Sequence, residues 1–461
     1  MRSFFLPVLA AAVALTGCDA SDDIDPIDPV DDGQRFRVVV ENVAPGFGVL
    51  KSGVFNTPVG ASDPAPIFPG GAYEFSFTAG PNVTPGSGMR LSLATMFIQS
   101  NDLFYTFPAD GLALYDADGT ARTGDVTSEI LLYDAGTEVN ETPGVGENQA
   151  PRQDGPDTGE DEDGVLMRID DGAADVEGFT YPDRADVIRV TLAHDGDTEF
   201  TVRIENVSTG STLPIPGGES VAVPLSPGAW AVHTDAVDAF TSGQAAPAWI
   251  EAIAEDGDAG PGADFFGPLT GVTVPLSPGT AAVHTSAVSF FESGAAASDG
   301  IEGIAEDGSP DALTGALTGL TGVRQALSFT TPEGASAPAP IGPGGSYAFE
   351  VTAEPGDRLS FATMYIQSND LFLSFAGEGL ALFDGTAPLS GDVSDQVRLY
   401  DAGTEEDQEP GVGLDQAPRQ AGPDTGDDED GVITRVQGED DGFEYADPSD
   451  VIRVTVTPIN A

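Results

Sequence analysis

The sequence predicts an all-β protein made of two antiparallel β-sandwich domains. Three observations lead there. Short β-branched and aromatic segments of largely alternating polarity recur along the chain. Clusters of glycine, proline and asparagine separate them, as turns between strands require. Finally, one module occurs twice: SNDLF leads to YDAGTE at 100–138 and again at 368–405, and each copy is followed by QAPRQ-x-GPDTG, at 149–159 and 416–426. A chain of 461 residues has room for two or three such domains.

The first 18 residues carry Arg2 and then an apolar run over 4–15, too short to span a bilayer but the length of a signal peptide's apolar part. The run ends in Leu15-Thr16-Gly17-Cys18, which resembles the lipobox of bacterial lipoproteins. Cys18 is the only cysteine, so no intrachain disulfide can form. The resemblance implies a signal peptide over 1–17, lipidation of Cys18, and export to the cell envelope, facing the periplasm or the cell surface. Residues 18–34, acidic and proline-containing, read as a flexible tether, so the lipid is the only expected membrane contact.

The first module, over 35–195, has strands expected at 36–43 (FRVVVENV), 72–79, 90–99, 128–133 and 186–193, with no sustained helical periodicity. The second, over 199–461, opens on TVRIENVS at 201–208, an echo of the first strand. Its 329–347 block matches 55–73, and its 443–456 block matches 179–192. Extra sequence at 223–310 is itself doubled: VPLSPG-x-x-AVHT occurs at 223 and 274, and AEDG at 254 and 305, both at a spacing of 51 residues. Two units are too few for a solenoid. This segment reads as a tandem duplication inside the second domain, which the first domain lacks.

Seventeen Lys and Arg stand against 76 Asp and Glu, a net charge of −59, and Lys51 is the only lysine. Such a surface repels phosphate backbones and anionic membranes, which excludes nucleic acid as a partner. Solvation in a salty medium and binding of divalent cations are both consistent with the acidity.

Taken together, PLSPG-x-W-AVH, IAEDG, ATM-x-IQSNDLF and LYDAGTE resemble bacterial spondin-domain proteins, relatives of the N-terminal domain of F-spondin and mindin. The resemblance covers most of both modules. It implies a β-sandwich similar to the calcium-dependent membrane-targeting sandwiches, an extracellular adhesion or matrix-binding role rather than an enzymatic one, and a bound calcium ion. Carried over residue by residue, the calcium ligands are Asp102, Asp134 and Glu138 in the first module and Asp370, Asp401 and Glu405 in the second.

Spacing puts a condition on that site. Calcium gathers 6–8 oxygens at about 2.3–2.6 Å, whereas residues 134 and 138 would stand roughly 13 Å apart on an extended strand. The chain must therefore turn at Ala135-Gly136, where glycine makes the turn cheap. The competing reading of DAGTE is an acidic turn that binds no ion. The acidic runs at 155–165 and 422–432 lack EF-hand order and read as solvated loops, with weak cation binding as the alternative. Arg152 and Arg419, just before them, are placed to pair with local carboxylates.

His233 and His284 occupy equivalent places in AVHT, which favours a shared packing role over catalysis. No zinc cluster, nucleophile elbow or phosphate loop is present. The expected function is binding or adhesion to a surface, matrix or polysaccharide ligand. A polysaccharide hydrolase using paired carboxylates and a purely structural surface protein are the alternatives.

Overall fold

The computed structural model describes residues 33–81, 88–175, 177–234, 237–440 and 442–459. Cys18, the signal peptide and nearly all of the tether lie outside the described residues. The architecture is β-sandwich, as the sequence predicts, with antiparallel pairing between every pair of neighbouring strands in the main sheets.

The strands do not divide along the chain as the two repeats do. Strand β1 (Gln34–Asn42) is followed by β2 (Val49–Phe55), β3 (Ala72–Thr78), β4 (Met89–Phe97), β5 (Leu103–Thr106), β6 (Leu131–Asp134), β7 (Met167–Ile169), β8 (Ile188–Gly196), β9 (Glu199–Asn206) and β10 (Leu225–Thr234). Strands β2-β10-β4-β5-β6-β7 form one sheet, and β3-β9-β8 with the short strand Gly124–Asp125 form its partner. Strand β1 is absent from both. It lies between β13 (Ser346–Ala353) and β18 (Ile452–Ile459), in the second half of the chain.

That half contributes β11 (Leu276–His284), β12 (Val323–Phe329), β14 (Arg358–Tyr365), β15 (Leu371–Ser374), β16 (Arg398–Asp401) and β17 (Thr434–Arg435). They pair in the order β12-β11-β14-β15-β16-β17, opposite the sheet β13-β1-β18 with Gly391–Asp392. The boundaries 35–195 and 199–461 are therefore corrected. One domain, built from β2 to β10 and the helices after it, is inserted between β1 and β11 of the other. We call them the inserted and host domains.

The same pairing corrects the reading of the 51-residue duplication. Its first PLSPG strand, β10, lies between β2 and β4, and its second, β11, between β12 and β14. Each domain thus holds one copy, and the inserted domain lacks nothing. Its elements simply run in permuted order, with the PLSPG strand last.

Burial holds β1 in the host. Phe36, Val38 and Val40 are at most 1 % exposed and join the host core. Each such side chain contributes about 1.5–3 kcal/mol relative to exposure. In the inserted domain Phe200, Val202 and Ile204 of β9 do the same work. Gly228 of β10 is required by close approach: a Cβ there would lie 2.0 Å from the Ala94 carbonyl oxygen and 2.3 Å from the Phe55 ring.

A third layer covers the outer face of each larger sheet. Helices α1 (Ala248–Asp256) and α2 (Gly260–Phe266) pack Trp249, Ile250, Ile253 and Phe266 against Ala94, Phe104, Ala229 and Ala231. Helices α3 (Asp299–Ala305) and α4 (Asp311–Leu317) cover the host sheet in the same way. These helices were not foreseen. With seven to nine residues each, they show only about two turns of period. No helix among the described residues is long and apolar enough to cross a membrane.

The two crossings between the domains are tied together. Phe47 N–H donates to Thr273 Oγ1 at 2.7 Å, and Gly271 N–H to the Val49 carbonyl at 2.9 Å. Lys51 forms an ion pair with Glu409 across the junction.

Candidate functional site

Asp102 precedes β5 and Asp134 ends β6, and the antiparallel register sets Leu103 opposite Asp134. The chain then turns at Gly136, whose φ of +67° is one an L side chain rarely adopts, as the spacing of the two carboxylates demands. The turn wraps its backbone around Asp102, so that Asp102 Oδ2 accepts from Thr137 N at 2.8 Å and Glu138 N at 3.2 Å. Asp134 Oδ1 accepts from Gly136 N at 2.8 Å, and Asp134 Oδ2 from Asn140 Nδ2 at 2.7 Å.

The host domain repeats this set. Asp370 Oδ2 accepts from Thr404 N at 2.7 Å and Glu405 N at 3.2 Å. Asp401 Oδ1 accepts from Gly403 N, and Gly403 has a φ of +66°.

Both inner aspartates are buried and incompletely satisfied. Asp102 and Asp370 are fully buried, and the Oδ1 of each has no hydrogen-bond partner. Burial, followed by the charge of Asp134, raises the Asp102 carboxyl well above the usual carboxylate range. Burial pushes Asp134 up to about 6, and it raises Asp370 as well. The charges acting on the first pair are themselves acidic: Asp134 and Glu162 on Asp102, Glu162 and Glu177 on Asp134.

Glu138 does not join them as a third member of one set. Its carboxylate groups instead with Asp157 and Glu255, the three offering oxygens within 4.8 Å of one another. The acidic run, exposed or half-exposed throughout as expected of a solvated loop, makes this possible by pairing with the DAGTE turn. Val139 N–H donates to the Glu160 carbonyl and Glu162 N–H to that of Thr137. Gly159 N–H donates to Glu138 Oε1 at 2.8 Å, and a Cβ on Gly159 would lie 2.3 Å from the Glu138 carboxyl carbon. In the host, Glu306 and Asp424 group with Glu302 of helix α3 rather than with Glu405, whose Oε1 accepts from Gly426 N at 3.0 Å.

Three of these residues, Glu255 and Glu306 of AEDG with Glu302, were not expected at a site, and Asp157 and Asp424 of GPDTG only under the cation-binding alternative. A signal was present, since each pair occupies the same place in a repeated motif. Arg152 and Arg419 depart from expectation in the other direction. Each guanidinium bonds the amide oxygens of two glutamines and one backbone carbonyl: Gln99, Gln149 and Gly146, or Gln367, Gln416 and Gly413.

His233 and His284 are fully buried. In each, Nδ1 faces its neighbour's carbonyl, at 2.8 Å for Thr234 and 2.9 Å for Thr285. Nδ1 must donate there, which leaves Nε2 to accept from Ser92 Oγ at 2.9 Å and from Ser360 Oγ at 2.8 Å. Both rings are neutral packing groups, and burial lowers their pKa.

Compared with protein-family models and with curated proteins, the chain matches none.

Proposed function

We propose that this is an exported, lipid-anchored binding or adhesion protein whose two spondin-like domains are stabilised by calcium, and that it binds rather than catalyses. The observation carrying the reading is the buried, unpaired Oδ1 of Asp102, matched by that of Asp370. A buried carboxylate oxygen without a donor is costly unless it is protonated or meets a cation. The donor set fits calcium, which takes carboxylate and carbonyl oxygens. Asp102 and Asp134 would hold the ion in the inserted domain, and Asp370 and Asp401 in the host. The ion supplies the positive charge that these buried groups lack. The protein's own contribution is the turn at Gly136 and Gly403, which fixes the aspartates before any ion arrives.

The role follows from that rigidity. Loops that a cation stiffens at one end of each sandwich form a preorganised surface for a matrix or polysaccharide ligand. Calorimetric titration of calcium into the soluble chain from Asp19 onward tests the reading. Asp102→Asn and Asp370→Asn should each remove one bound ion and its share of the calcium-dependent rise in melting temperature. A titration unchanged by both substitutions would sink the assignment.

A further inference from the structure

Positive charge is rare in this chain, 17 Lys and Arg against 76 Asp and Glu, yet three arginines gather on the host domain. Arg358 opens β14, Arg398 opens β16 and Arg435 ends β17. The register puts all three on one face of the sheet. Tyr400 stands opposite Arg435 and Phe372, and Phe372 opposite Met364. Alternation then carries that face from Met364 back to Arg358 and from Tyr400 to Arg398. This is the outer face, where the covering helices pack on Ala362, Phe372 and Tyr400. There the arginines line a cavity of about 390 Å³ with Gln396 and Tyr400, and Glu378 is the one acid in its wall.

The three guanidiniums lack carboxylate partners. Arg358 donates to the carbonyls of Glu378 and Gly379, both at 2.6 Å, and Arg398 to those of Asp395 at 2.6 Å and Val397 at 2.7 Å. Among the described residues, the Arg435 side chain has neither an ion pair nor a hydrogen bond. The inserted domain shows the same place neutralised. Its counterparts of Arg358 and Arg435 are Arg90 and Arg168, held by Asp110 at 2.6 Å and Asp170 at 2.7 Å. Where the host has Gln396, Arg398 and Gln437, it has Glu129, Leu131 and Asp170. All three differences make the host more positive. A larger cavity of about 550 Å³ shares Arg398 and Arg435, but Asp395 and Asp447 in its wall balance them.

We propose that the host domain takes the acidic group of a glycan, a uronate carboxylate or a sulfate ester, into the smaller cavity. Guanidiniums suit both groups because their planar N–H forks meet two oxygens at once. The Gln396 amide, the Tyr400 hydroxyl and the Glu378 carboxylate, none of them hydrogen-bonded among the described residues, offer donors and acceptors to the sugar hydroxyls. A net charge of −59 repels an extended polyanion, so the ligand presents a single acidic sugar. The seat lies away from Asp370 and Asp401: Arg398 and Asp401 are the two ends of β16, roughly 10 Å apart. The inference rests on the binding reading for its class of ligand, and calcium takes no part in it.

Saturation-transfer NMR on the whole soluble chain from Asp19, in chelator, tests it with methyl glucuronoside, galactose 6-sulfate, neutral methyl glucoside and N-acetylglutamate. The expected result is transfer to an acidic sugar and none to the glucoside. Preference for the glucuronoside identifies a carboxylate ligand, and preference for the sulfate an ester. Arg398→Leu, which matches the inserted domain at Leu131, and Arg435→Gln should each weaken binding about tenfold or more. Arg168→Gln should leave it unchanged. If Arg398→Leu shifts the melting temperature, Arg435→Gln decides, since that side chain holds nothing in the fold. Equal transfer to the neutral glucoside, or full binding in Arg435→Gln, overturns the seat. N-acetylglutamate bound as tightly as the sugars overturns the glycan class. Absence of any transfer overturns the proposal whatever the calcium titration gives, so the two readings fail separately.

Discussion

Replacing Glu306 by glutamine should make the protein more stable at alkaline pH when no divalent cation is present. Burial, then the charges of Glu405, Glu302 and Asp307, push the Glu306 carboxyl from 4.5 up to about 8. The sign follows from proton counting. Below 4.5 the group is protonated in both states and contributes nothing to the pH dependence. Between 4.5 and about 8 the folded protein keeps a proton that the unfolded chain has released. Stability therefore falls as pH rises through that window, by at most about 1.4 kcal/mol per pH unit. Taken in full this is about 5 kcal/mol. Even buried charges interact at an effective dielectric of about 20, which softens the repulsion, and we set the loss at about 2 kcal/mol.

Glutamine keeps the shape and cannot ionise. For a domain of this size, about 2 kcal/mol is a rise of roughly 4–8 °C in melting temperature. Scanning calorimetry with chelator, at about pH 5 and about pH 8.5, reads it directly. Glu306→Gln should melt near the parent at the lower pH and well above it at the higher. A variant no more stable than the parent at the higher pH would refute the reasoning. An equal gain at both values would do so too, because it would place the effect in packing.

Other substitutions probe separate parts of the argument. Gly426→Ala puts a Cβ 2.5 Å from the Glu405 carboxyl carbon and should cost about 1–3 kcal/mol in chemical denaturation; a neutral result would show that the run is not held against the turn. Gly228→Ala drives a methyl into the Ala94 carbonyl and the Phe55 ring, so it should lower the melting of the inserted domain by about 3 kcal/mol or more. Nitrogen NMR of His233 and His284 should show neutral rings protonated on Nδ1 at about pH 6. Because burial depresses both values, their share of stability is present above the ordinary 6.5 and is lost as pH falls through the lowered ones. Imidazolium signals from either ring at that pH would contradict the packing role.

The strands were legible because period-two alternation and turn residues are local properties. The segments expected at 36–43, 72–79 and 90–99 appear as Gln34–Asn42, Ala72–Thr78 and Met89–Phe97. Partner choice was not legible. Phe36, Val38 and Val40 present the same inward face as Phe200, Val202 and Ile204, so either strand would suit either sheet. The motif count did hold a clue: PLSPG, AEDG, SNDLF and DAGTE each occur twice, which fits one of each per domain only if one domain is permuted. The site was half legible for a related reason. Repetition marks which acids recur, but only the fold brings Glu255, more than a hundred residues after Glu138, within reach of it.

The nesting of one domain in the other also decides how the molecule would carry tension. A pull between the segment before Gly33 and a ligand held by the inserted domain runs along the backbone of β1 and through residues 43–48 into β2. That path is covalent throughout, and the host domain rides on it as a clip rides on a cord, with none of its strands peeled. A ligand held by the host itself would load β1 differently, in shear against eight paired residues on β13 and eight on β18. The same strand is thus a bare cable for one grip and a bolted splice for the other.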